Sequence, residues 1–253
     1  MSATYLSSLF SLDGLSALVT GGSSGIGRAI ALALARAGAR VVVVGRDEER
    51  LSATAAETGG AWVAADLGAP DGVQRVSDGV VAAMGEPDIL VNAAGVNLRP
   101  PLGETTDEVL DETLAVNLVA PFALGRRFGP GMAERGYGRI VNVSSQQAHR
   151  AFVTSGVYGM SKGGLEALTR SQAEAWSAQG VTANALVPGF VLTRMNTRLA
   201  ADPEQVARLA ARTLVGRNGQ PDDFAGAAVF LASRASAYVT GQSIAVDGGF
   251  SVH

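Results

Sequence analysis

The sequence predicts an α/β protein, a single domain built on one doubly wound parallel sheet of seven strands flanked by helices. Three observations carry this. Residues 15–20 form an apolar run that passes directly into a glycine-rich turn at 21–27 and then into a helix-forming stretch at 28–37, the strand–turn–helix order of a mononucleotide-binding unit. Residues 39–45 read Ala-Arg-Val-Val-Val-Val-Gly, β-branched almost throughout, as expected of a central strand covered on both faces. Further apolar runs then alternate with helix-forming segments to the end of the chain, with no repeat, long linker or second domain. A chain of 253 residues is long enough to bury one large core.

Bulk properties narrow the function. The formal net charge of -3 comes without any basic run, which argues against nucleic acid or an anionic membrane as partner. With no cysteine, disulfides, thiolate metal sites and thiol nucleophiles are excluded. Residues 1–12 lack the basic start, long apolar run and cleavage site of a secretory signal, and no apolar stretch reaches the roughly eighteen residues a membrane span needs. The expectation is a soluble protein of the cytoplasm.

Each element follows in order. In the first turn, Thr20-Gly-Gly-Ser-Ser-Gly-Ile-Gly27, Gly21 permits the tight bend. Gly25 lets the backbone approach a pyrophosphate, and Gly27 allows close helix packing. Ser23, Ser24 and Ile26 complete a cradle at the helix N-terminus, where free N–H groups face an anion. The second strand ends at Gly45-Arg46-Asp47. An acidic residue there would bind ribose hydroxyls, whereas the rigid donor fork of Arg46 suits a 2′-phosphate. NADP(H) is therefore the preferred cofactor, with NAD(H) the alternative. Strand three is read over 61–67; Asp66 at its end could also cap the helix that follows. Strand four and its loop occupy 88–95 and end in Asn92-Ala93-Ala94-Gly95. A long helical run at 106–135, broken only near Pro121, buries Asn117 among Leu114, Val116, Leu118 and Val119, an arrangement that is costly unless the amide is bonded. Strand five covers 138–145, strand six 181–187 and strand seven 241–246; the last long helix is read over 221–233.

The chemistry concentrates at Tyr158 and Lys162. Four residues apart in a helix, they share a face. An ammonium near the phenol would favour the phenolate and lower a pKa that starts near ~10, leaving a group able to move a proton to or from an alcohol oxygen. The chain has nineteen arginines and a single lysine, and that lysine is Lys162. Ser144, fourteen residues before the tyrosine, closes a strand at the edge where ligands bind and can donate to a carbonyl or alkoxide oxygen.

Together these motifs, spread from about Leu12 to Gly249, resemble the short-chain dehydrogenase/reductase family in its Rossmann-type form. The G-x-x-x-G-x-G spacing is that family's variant. The resemblance implies that Asp66 accepts from the adenine amino group and Leu67 flanks the ring. It implies further that Asn92, Ala93 and Gly95 line the cofactor, and that Pro188, Gly189, Val191 and Thr193 form the loop that grips the nicotinamide carboxamide. Catalysis would fall to Asn117, Ser144, Tyr158 and Lys162, with Asn117 holding a water of the proton relay and Lys162 also binding the nicotinamide ribose. Residues 190–217 would be a substrate lid. No metal is implied, and the two histidines, His149 and His253, are far apart in the chain. The helices at 106–135 and around Tyr158 pack between subunits in the family, which implies a homotetramer, with a dimer as the alternative.

Substrate choice rests on loops. Val96, Asn97, Gln146, His149, Arg150, Phe152, Phe190 and Met195 are the candidate pocket residues. Gln146, His149 and Arg150 suit hydroxyls or a carboxylate, while Phe152, Phe190 and Met195 suit a bulkier ketone. Residues 95–99 and 9–14 resemble the gluconate 5-dehydrogenase-like branch. The first expectation is therefore a small polar carbonyl or alcohol substrate such as a sugar acid or polyol. The alternative is a 3-oxoacyl thioester, which would call for a basic patch drawn from Arg126, Arg127, Arg194 and Arg198. A cofactor-binding regulator without activity is the remote third reading.

Overall fold

The computed structural model describes residues 2–252, with the side chains of Ser2, Ala3, Arg198 and Ala200 outside that description. Seven strands are found: β1 (Ser16–Thr20), β2 (Arg40–Gly45), β3 (Ala61–Ala64), β4 (Ile89–Asn92), β5 (Gly138–Val143), β6 (Val181–Pro188) and β7 (Ser243–Val246). They form one sheet in the order β3-β2-β1-β4-β5-β6-β7, every neighbour parallel. The order reverses between β1 and β4, and their C-terminal ends open the crevice in which α/β sheets bind ligands.

Strand alternation builds two cores. Val41 and Val43 pack on one face with Ile30, Leu34 and Leu231, whereas Val42 and Val44 pack on the other with Val80, Leu124 and Phe128. The first face is covered by α2 (Gly25–Arg36) and α10 (Ala225–Ala232) with α3 (Glu48–Thr58) at its side; the second by α4 (Gly72–Met84), α6 (Ala120–Glu134) and α7 (Gly156–Trp176). Successive residues of β2 thus serve opposite cores, which is why both of its faces are apolar.

Several boundaries differ from the sequence expectation: β3 ends at Ala64 and not at 67, β5 at Val143 and not at 145, and β7 starts at Ser243 and not at 241. Residues 2–10, to which the sequence assigns no element, form helix α1 (Ser2–Phe10). The run at 106–135 is not broken at Pro121. It continues from α5 (Asp107–Leu114) through a π-helical turn at Ala115–Val119 into α6, with Pro121 directly after that turn. The last helix starts as a 3₁₀ turn, Pro221–Phe224. The expected lid contains α8 (Thr197–Ala200) and α9 (Pro203–Ala211), the latter capped by Asp202 through the N–H groups of Glu204 and Gln205.

Candidate active site

At the end of β1 the chain turns through Gly21 (φ 67) and Gly25 (φ 54), both in the left-handed region that side chains disfavour. A Cβ at Gly21 would lie 2.8 Å from Ala93 O and Ala94 N, and one at Gly25 would lie 3.3 Å from Thr193 Cγ2. The turn is therefore pressed between the loop after β4 and the loop after β6. Ser24 caps α2 without a side-chain hydrogen bond, so the first N–H groups of the helix stay open toward the crevice. Ser23 Oγ sits at the end of β2, 3.3 Å from where a Gly45 Cβ would stand. The glycine cradle and open helix end fit a dinucleotide phosphate. Arg46 is exposed at the crevice rim, 3.8 Å from Asp66. Asp66 caps a turn through Gly68 N–H at 2.9 Å, not the helix, which takes Asp71 as its N-cap residue. Leu67 is buried in the core beneath α4.

On the other side of the crevice, α7 carries Tyr158 and Lys162, both buried. Lys162 Nζ donates to Val143 O at 2.8 Å and thereby staples the helix to the end of β5. Burial lowers its pKa to about 8. The expected sign at Tyr158 is reversed: burial raises the phenol pKa, and the opposing influences are a hydrogen bond from Ser145 and the charge of Arg99. Lys162 Nζ lies 5.8 Å from the ring centroid, and the Val143 carbonyl takes one of its three donors.

The two serines at the end of β5 face different partners. Ile140, Asn142 and Ser144 alternate toward α7, so Ser144 lies beneath that helix and donates to Glu166 Oε1 at 2.7 Å. Ser145, the second residue past the strand, accepts from Gln147 N–H, and its hydroxyl opposes the rise of the Tyr158 phenol pKa by hydrogen bonding.

Asn117 is fully buried at the π turn, a distortion frequent at functional sites. Its Oδ1 accepts from Val96 N–H at 2.9 Å, and its Nδ2 donates to Val96 O at 3.0 Å and Ser161 Oγ at 3.0 Å. Both amide protons are used, so the side chain holds the loop after β4 to α7. Asn92 likewise belongs to a buried polar ladder: it donates to Asn142 Oδ1 at 2.8 Å, and Asn142 donates to Thr169 and Gln172 on α7.

The expected substrate residues divide. Met195 approaches Gly95, its Cε 3.7 Å from a Cβ built there, and Asn97 has a buried Oδ1 without a partner among the described residues. Gln146, His149 and Arg150 instead line a separate cavity of about 370 Å³ with Val187, Ser243 and Ser251. Phe152 stacks on Phe250 at 6.2 Å, and Phe190 lines a third space with Val215 and Arg217. Sequence reasoning missed Arg99, which reaches Val153 O at 2.7 Å beside the left-handed Thr154 (φ 59) and places a cation near Tyr158. Of the basic residues expected for a carrier patch, Arg127 is held by Glu86 at 2.7 Å and Arg126 lies over Phe122. The Arg198 side chain and His253 lie outside the described residues. Among the described residues, no group of three or more His, Cys, Asp or Glu side chains is gathered to hold a metal, and no helix is long and apolar enough to cross a membrane.

The comparisons with known proteins agree with this geometry. A protein-family profile described as Enoyl-(Acyl carrier protein) reductase matches residues 21–251. Gluconate 5-dehydrogenase of Gluconobacter oxydans (strain 621H) is 42% identical over 249 residues, covering 96% of this chain and 97% of the relative. The chain belongs to the short-chain dehydrogenase/reductase family. Galactitol 2-dehydrogenase (L-tagatose-forming) of Cereibacter sphaeroides is 40% identical, covering 96% and 98%. A crystal structure of a gluconate 5-dehydrogenase from Burkholderia cenocepacia J2315 in complex with NADP and tartrate superposes with a TM-score of 0.92 at 36% identity, covering 98% of this chain and 99% of that one. Membership makes the chain an oxidoreductase of the NAD(P)-dependent class.

Proposed function

We propose that the protein is an NADP(H)-dependent dehydrogenase of small polyhydroxylated substrates, foremost sugar acids, interconverting a secondary alcohol and a ketone. When bound, the cofactor supplies or accepts the hydride. The glycine turn and the N-terminus of α2 hold its pyrophosphate, Arg46 takes the 2′-phosphate with Ser23 alongside, and Thr193 and the 188–191 loop hold the nicotinamide end. In reduction the Tyr158 phenol gives its proton to the substrate oxygen while the Ser145 hydroxyl donates to the same oxygen. Lys162 keeps a cation beneath the reacting groups, and Asn117 fixes the loop that closes the crevice.

The observation that carries the substrate class is Arg99. Its guanidinium lies close enough to Tyr158 to pull the phenol pKa down, and such a donor fork pairs with a carboxylate. The relatives acting on gluconate and galactitol support the same class. Exposed Val119, Phe122 and Met160 on the π turn, α6 and α7 support a homo-oligomer formed through those helices, and the 190–217 segment serves as the lid.

The test is NADPH oxidation with 5-ketogluconate, L-tagatose and a 3-oxoacyl thioester in parallel, for the parent chain and Arg99→Gln. The expected result is turnover of the keto acid, with the substitution raising its KM about tenfold or more, the worth of a charge-assisted hydrogen bond. The KM for tagatose should hardly change. Turnover confined to the thioester, or equal KM changes for both sugars, would overturn the assignment.

A further inference from the structure

Next to the reacting groups lies a buried carboxylate for which the proposed reaction has no use. Glu166, one helical turn beyond Lys162 on α7, is 3% exposed. Its carboxylate meets three polar side chains from three segments: Ser144 Oγ at 2.7 Å from the end of β5, Ser243 Oγ at 2.7 Å from the start of β7, and His149 Nε2 at 2.9 Å from the loop between β5 and α7. An ionised carboxylate has only acceptor sites, and all three neighbours can donate to it.

A buried acid is retained at a cost unless every site on it is bonded. The bonds here have a common effect. Ser144 is the residue before Ser145 and His149 is four residues after it, so one carboxylate grips the Ser145 segment on both sides. Neighbouring residues at a strand end point in different directions, and fixing one sets the aim of the next. We infer that Glu166 is a positioning residue: through Ser144 and His149 it orients the Ser145 hydroxyl toward the Tyr158 phenol. This rests on the acid–base reading given above and adds to it a residue that touches neither substrate nor cofactor.

The consequence appears in the pH profile. The charged groups around the phenol are Lys162 on its own helix and Arg99 from the loop after β4, and the Ser145 hydrogen bond is the strongest of the influences that lower its pKa. Around Glu166 the titratable neighbour is His149, with Arg150 lining the adjoining cavity. Alcohol oxidation needs the phenolate, so its rate rises as pH passes the phenol pKa. If the Ser145 bond is weakened, that pKa climbs and the rise moves to higher pH.

The experiment follows kcat for NADP⁺-dependent oxidation of D-gluconate against pH. Glu166→Ala and Ser144→Ala should each move the rise upward by about one pH unit, the scale of a single lost hydrogen bond. The double variant should move it no further than either alone. Cofactor affinity should stay within about twofold. Glu166→Gln should restore the parent profile: the amide oxygen still accepts from Ser243 and His149, and the Ser144 hydroxyl turns to accept from the amide N–H. Ser243→Ala, which frees only the β7 side, should leave the profile in place. Should Glu166→Ala fail to fold, Ser144→Ala carries the test alone. An unmoved rise in folded Ser144→Ala, or a Glu166→Gln profile as displaced as that of the alanine variant, overturns the inference. Unchanged turnover in Ser145→Ala would instead overturn the acid–base reading on which it stands.

Discussion

The two walls of the crevice work by different physics. On the β1–α2 wall the functional groups are backbone: the left-handed Gly21 and Gly25, the open N–H groups of α2, and the close approach of Ala93. On the β5–α7 wall they are side chains, and their direction decides everything. Ser144 and Ser145 are chemically identical neighbours, yet one is buried against Glu166 and the other meets Tyr158. A backbone site tolerates almost any side chain that can reach its conformation. A side-chain site is remade by a shift of one position.

This difference can be broken or sharpened from either wall. The largest effect belongs to Tyr158→Phe, which removes the proton carrier and leaves the ring packing. Its kcat should fall by about 10³-fold, within the usual range for a general acid, while NADPH binding followed by fluorescence stays within about twofold. On the opposite wall, Gly21→Val puts a branched side chain where φ is 67 and the neighbouring backbone is 2.8 Å from a Cβ. NADPH affinity should drop about 10²-fold, roughly 2.7 kcal/mol, and a thermal melt should show the strain as well. A variant that binds NADPH as tightly as the parent would mean that the turn is not the phosphate site.

Lys162 offers a smaller effect of opposite sign. Its folded pKa of about 8 lies below the ordinary 10.5. Between those values the unfolded chain binds the proton and the folded chain does not, so this group makes stability rise with pH. Below pH 8 both states hold the proton and the burial penalty is fully present. Lys162→Met should therefore be more stable than the parent at pH 7, by up to about 3 kcal/mol less the lost bond to Val143. The advantage should shrink as pH climbs from 8 to 10.5. Denaturant melts across that range test it, and a variant less stable than the parent at pH 7 would show that the lysine is not held at a cost.

The same contrast explains how much was legible in the sequence. All seven strands, the glycine turn and the two-faced burial of β2 could be read directly, because glycine at a positive φ and period-2 burial leave marks in residue type. The Tyr158–Lys162 face was legible for the same reason, since helix spacing fixes it. The serine was not, because two serines in a row look alike and only their register against α7 separates them. The alternation through Asn142 and Ser144 held that information. Arg99 was hidden by distance: it comes from another loop and depends on the Val153–Thr154 turn to hold it. Asn117 was legible as a buried amide, but its partners, Val96 and Ser161, come from separate segments that no local pattern joins.

The most direct test of the account is the turnover of Ser145→Ala and Ser144→Ala, measured side by side with NADPH and 5-ketogluconate at neutral pH. The account predicts a loss of about 10²-fold or more for Ser145→Ala, the scale of one lost donor to the reacting oxygen. Ser144→Ala, which only loosens its neighbour's aim, should stay within roughly tenfold of the parent. The reverse ranking, with Ser144→Ala inactive and Ser145→Ala near the parent rate, would contradict it.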